Sequence, residues 1–115
     1  MKLKSAKSKW YGRVGFGLNP PLFVSVARFA NSVEALFGLK SIAFNPGPFN
    51  SGRRLSLAGN GHVYELIVND NGMTLGKVET DGRRIRLATG MDTKADWDQL
   101  LRVLQNCEGE RRLAA

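Results

Sequence analysis

Apolar residues Leu22, Val26, Phe29, Val33, Leu36 and Phe37 recur at three- and four-residue steps, with Phe37 beside Leu36. That spacing predicts an amphipathic helix over Leu22 to Phe37 with one face toward a core. Asn19 can cap it, Pro20 fits the first turn because its missing N–H would have had no partner there, and Gly38 is a natural stop. A second helix is predicted from about Thr93 to Asn106, with Asp92 or Thr93 as cap and Asp96 as the acidic partner of Thr93. Its apolar face is Trp97, Leu100, Leu101 and Leu104.

Between the helices the period changes from 3.6 to 2. After a short apolar piece, Ser41 to Phe44, the stretch from Asn45 to Gly52 reads as a loop, because Pro46 and Pro48 lack donors and Gly47 and Gly52 favour turns. A four-stranded antiparallel meander follows. Asn60-Gly61 and Asp81-Gly82 suit two-residue turns with positive φ at both central positions, and Asp70-Asn71-Gly72 suits a three-residue loop with a left-handed Gly72. These turns set a register in which Leu57 faces Tyr64, Leu55 faces Leu66, Tyr64 faces Val78, Val78 faces Ile85 and Leu87 faces Gly76. The opposite side then receives Arg54, Ser56, Glu65, Lys77, Glu79, Arg84 and Arg86 together with Val63, Ile67 and Leu75. A one-residue slip would mix the two sets.

Two apolar helix stripes and one apolar sheet face are buried most economically with both helices on one side of the sheet. The expected fold class is therefore α+β: an N-terminal helix, a four-stranded antiparallel β-meander and a C-terminal helix, with the helices packed on one sheet face. The domain organisation reads as a basic flexible arm at 1–19, a single α+β domain at 20–107 and a C-terminal tail at 108–115. With 115 residues and 43% hydrophobic content, the chain is long enough for one core without metal or disulfide support.

Charge changes the picture most. The first 33 residues contain no acid and carry +6 of the net +7, while the remainder is nearly neutral. A positive field concentrated at one end suits a phosphate-tracking arm. A lone Cys107 favours a reducing, cytoplasmic setting over a secreted one. No apolar run approaches the roughly 18 residues of a membrane span, and the Lys-rich start lacks the features of a signal peptide. No membrane partner is expected.

Candidate chemistry is sparse. One His and one Cys give no metal-ligand spacing, and the glycines of Gly12-Arg13-Val14-Gly15-Phe16-Gly17 match neither a dinucleotide nor a phosphate-loop pattern, so no metal and no cofactor are expected. His62 and Glu65, with arginines nearby, are the weak catalytic candidates for a metal-free ribonuclease, which needs an acid, a base and phosphate-binding cations. Their odd spacing puts them on opposite faces of a regular strand. The balance lies with binding rather than catalysis.

The surface candidates fall in two groups. Lys2, Lys4, Lys7, Lys9 and Arg13 would neutralise phosphates while Trp10 and Tyr11 stack on bases, and Arg54, Lys77, Arg84 and Arg86 would extend the surface over the sheet. The sheet charges could instead be opposite-charge cross-strand pairs that support the fold. A β-meander followed by a C-terminal helix, with a basic arm, is similar at fold level to the Whirly and coactivator types of single-stranded-DNA binder, without a shared motif. Two readings result: a nucleic-acid-binding module for single-stranded DNA or RNA, or a small protein-interaction factor (inhibitor, adaptor or chaperone) binding an acidic protein surface. The open sheet face could also be covered by a second copy of the chain as a homodimer.

Overall fold

The computed structural model describes residues 20–46 and 52–114. The N-terminal candidates Lys2, Lys4, Lys7, Lys9, Trp10, Tyr11 and Arg13 lie outside the described residues, as does most of the Asn45–Gly52 loop. The chain order is helix α1 (Pro20–Phe37), strands β1 (Lys40–Pro46), β2 (Arg53–Gly59), β3 (His62–Asn69), β4 (Gly72–Val78) and β5 (Arg84–Gly90), then helix α2 (Lys94–Ala114). The strands form one antiparallel sheet in the order β1-β2-β3-β4-β5. The fold class is α+β, as the residue pattern predicts.

Five strands replace the expected four. The short piece after α1 is an edge strand pairing with β2, and it runs into the segment read as a loop. Pro46 is tolerated there because an edge strand has one side without ladder partners. Ile42 is an extra residue in the ladder, at a register shift between Ser41 and Ala43, and is 60% exposed.

Helix α1 buries Leu22, Phe23, Val26, Ala27, Phe29, Ala30 and Val33. Leu36, expected on this face, is 57% exposed, because the helix ends one turn beyond the core. Gly38, at φ 71°, stops it; the Gly38 N–H donates to the Glu34 carbonyl, and Leu39, buried, starts the return to the sheet. Helix α2 begins as expected, with Thr93 Oγ1 accepting from the Asp96 N–H at 3.2 Å. The Asp96 carboxylate, however, takes the Met91 N–H at 2.7 Å rather than closing a box on Thr93. Leu100 and Leu104 are fully buried, Trp97 and Leu101 partly, and the Phe29 and Trp97 rings meet at 5.3 Å. The helix does not end near Asn106; it continues through the segment expected as a tail.

The hairpins divide into one register that matches the sequence expectation and two that slip. Asn60 and Gly61, at φ 56° and 78°, make the two-residue turn that pairs Leu57 with Tyr64 and Leu55 with Leu66. The next loop holds only Asp70 and Asn71, because Gly72 pairs with Asn69. Tyr64 therefore faces Lys77, and Val63 faces Val78. The last loop is longer than expected: the Glu79 N–H donates to the Arg83 carbonyl and only Gly82 of the Asp81-Gly82 pair has positive φ. Val78 thus faces Arg84, and Gly76 faces Arg86 rather than Leu87. A bulge then absorbs Leu87, so that Leu75 faces Ala88.

These slips reassign faces. Leu75, expected on the open side, is fully buried with Leu55, Leu57, Tyr64, Leu66, Val68 and Met73. Lys77 moves to the helix side, opposite Tyr64 and Ile85, and Val78 takes its place on the open side.

Candidate nucleic-acid interface

Directly paired residues share a face, so the ladder defines the open side as three cross-strand rows. The first is Lys40, Ala58, Val63, Val78 and Arg84; the second is Ala43, Ser56, Glu65, Gly76 and Arg86; the third is Asn45, Arg54, Ile67, Thr74 and Thr89. Four cations, Lys40, Arg54, Arg84 and Arg86, stand around one carboxylate, Glu65. The strands as a whole carry the same imbalance, since Glu65 is the only acidic residue in any of the five. No Phe, Tyr or Trp occupies a row among the described residues; the rings of Phe23, Phe29, Phe44, Tyr64 and Trp97 belong to the core or pack against it.

Of the sheet candidates, Arg54, Arg84 and Arg86 share this face and Lys77 does not. Glu65 does not stand opposite Lys77, nor Glu79 opposite Arg84. Glu65 instead holds Arg84, with Nε 2.7 Å from Oε1 and Nη2 3.5 Å from Oε2, and approaches Arg54 Nη1 at 3.7 Å. The hydrogen bond and charge of Glu65 raise the Arg84 pKa above its ordinary value. Arg84 reaches Glu65 from two strands away, about 10 Å of sheet at the usual strand spacing. The residue paired with Glu65 on the strand between them is Gly76. Arg54 Nε is buried without a hydrogen-bond partner. Lys40 was missed by sequence reasoning because its strand was not recognised.

His62 and Glu65 lie on opposite faces, so the structure does not bring the two weak catalytic candidates together. The carboxylate beside His62 is Glu108, in the part of α2 read from sequence as a tail. Glu108 is 3% exposed. Its Oε2 accepts from the Tyr64 hydroxyl at 2.6 Å and lies 2.8 Å from His62 Nδ1; its Oε1 accepts from Asn60 Nδ2 at 2.8 Å. Asn60 Nδ2 also donates to the Phe37 carbonyl at 2.8 Å, so one side chain ties the end of α1 to α2. Burial alone would raise the Glu108 pKa, but hydrogen bonds from Tyr64, His62 and Asn60, with the charge of His62, hold it below the ordinary value. The arrangement is a clasp joining three elements.

Among the described residues no group of three or more His, Cys, Asp or Glu could hold a metal ion, and no helix is long and apolar enough to cross a membrane. Comparison with protein-family models, with curated proteins and with solved structures finds no match to this chain, so the likeness to Whirly-type binders rests on element order alone.

Proposed function

We propose that this chain is a nucleic-acid-binding module that contacts single-stranded DNA or RNA through the open sheet face, with the basic N-terminal residues adding phosphate contacts. The observation that carries this reading is the segregation of charge. Both helices cover one side of the sheet, while the other presents Lys40, Arg54, Arg84 and Arg86 with one carboxylate, itself engaged by two of the arginines. A phosphate backbone answers such a face because each neutralised phosphate releases counterions. Bases would rest on Val63, Ile67 and Val78, with stacking supplied by Trp10 and Tyr11, so little sequence preference is expected.

The alternatives fit less well. A second copy stacked face to face would set arginines against arginines. An acidic protein would satisfy the charge, but the rows offer small side chains, Ala43, Ser56, Ala58 and Gly76, in place of the large aromatic anchors that dominate protein interfaces.

A fluorescence-anisotropy titration of the full chain, freed of co-purified nucleic acid, tests this against labelled single-stranded DNA, duplex DNA and RNA at two salt concentrations. Sub-micromolar binding to a single strand that weakens steeply with salt is the expected result. Affinity for all three at the generic level of a basic protein would refute the reading and turn attention to an acidic protein partner.

A further inference from the structure

We propose that Arg54, Glu65 and Arg84 form a seat for one backbone phosphodiester, in which Glu65 is a positioning residue that aims the two guanidiniums. The inference rests on the nucleic-acid reading and adds a location and a division of labour to it. A surface arginine ordinarily samples many rotamers, and ordering it on a ligand costs side-chain entropy. Arg84 has already lost that freedom. Although its side chain is 56% exposed, two of its N–H groups are committed to a buried carboxylate. A guanidinium has five N–H donors in a planar fork, so three remain for a ligand.

Arg54 approaches the same carboxylate from the neighbouring strand, so Glu65 gathers two cations toward one point on the sheet. The trio keeps a net positive charge after Glu65 is counted. Gly76, paired with Glu65 on the strand between, sits close to β5: a Cβ there would meet the Ile85 carbonyl oxygen at 3.2 Å. Arg86, next to Gly76 in the same row, has no carboxylate partner among the described residues and serves as a charge without fixed direction. A phosphodiester, with two anionic oxygens in a plane, is the ligand that a pre-aimed fork recognises and a point charge does not.

The test separates aim from charge. Glu65→Gln raises the net charge by one, so if Glu65 acts only as a negative charge the variant binds a labelled single-stranded oligonucleotide more tightly. If Glu65 aims the arginines, binding weakens, and about threefold to tenfold is expected, a range ordinary for loss of one hydrogen bond. Arg84→Lys keeps the charge and loses the fork; it should weaken binding about tenfold with an unchanged salt slope, while Arg86→Lys stays within about twofold. Equal or tighter binding by Glu65→Gln overturns the seat. Should that variant fail to fold by circular dichroism, Arg84→Lys decides, and wild-type affinity overturns it. A wild-type chain that binds no oligonucleotide refutes the functional reading and the seat together, an outcome distinct from either variant result.

Discussion

Glu108 illustrates how a single carboxylate acquires a structural role from three donors. Buried and unpaired it would be costly, but Tyr64, His62 and Asn60 together make its ionised form the favoured one. A pKa depressed on folding contributes stability that is fully present above the unfolded value, about 4.3 for Glu, and is lost as pH falls through the folded value. Thermal unfolding followed by circular dichroism should therefore show the melting temperature falling in acid below about pH 4, with Glu108→Gln flattening that limb. Glu108→Ala removes the acceptor shared by Tyr64, His62 and Asn60, and a loss of about 1–3 kcal/mol at neutral pH is expected in urea unfolding. A Glu108→Ala variant as stable as wild type would mean that the clasp contributes nothing.

Tyr64 and His62 were legible as residues on the helix side of β3, but their partner was not. The signal available was weak: Glu108 follows the apolar stripe of α2 by one turn from Leu104, and Gly109 next to it is a poor helix former. What extends the helix is a tertiary hydrogen-bond set 46 residues away from His62, and local propensity carries no trace of it.

At the scale of elements, the turns account for both the successes and the errors. Asn60-Gly61 satisfies a conformational demand few other residue pairs meet, so that hairpin's register follows from sequence. The other two hairpins depended on whether a loop held two residues or three, a choice that Asp, Asn and Gly permit either way. The second slip offset the first, which is why Arg84 and Arg86 stayed on the expected face while Lys77 and Leu75 changed sides; the bulge at Leu87 acts only on the residues beyond it. One contact between elements was hidden altogether. Gly59 is in extended backbone that any residue can adopt, yet a Cβ there would sit 2.6 Å from the Gly38 carbonyl oxygen, where the end of α1 meets the sheet. Gly59→Ala should cost about 1–3 kcal/mol, the usual range for overpacking, read as a lower urea midpoint with unchanged slope.

At the scale of the molecule, composition indicated a basic protein but not where the charge would matter. The N-terminal excess was plain from the chain, whereas the sheet's excess depends on which side each strand residue faces. The reading of the open face predicts a measurable count. For a single strand, the slope of log K against log salt is about −0.7 per phosphate neutralised, so replacing Arg54, Arg84 and Arg86 together by Gln should make the slope about two units shallower. Lys77→Gln removes the same kind of charge from the other side of the sheet and should leave the slope nearly as it is. Equal changes from Lys77→Gln and any one of the three arginine variants would mean that binding senses total charge and not this face.

The strand order has a consequence for how the molecule is made. Because every strand pairs with its neighbour in sequence, each hairpin can close as soon as its second strand leaves the ribosome, with little chain-closure entropy to overcome. Asn60 is then placed early, but the carboxylate it serves arrives 48 residues later. Until α2 emerges, α1 is the described helix that covers the sheet's apolar face. A nascent chain stalled before Leu100 and Leu104 would lack their cover on the apolar side of the sheet, leaving it open to whatever chaperone or protease is nearest.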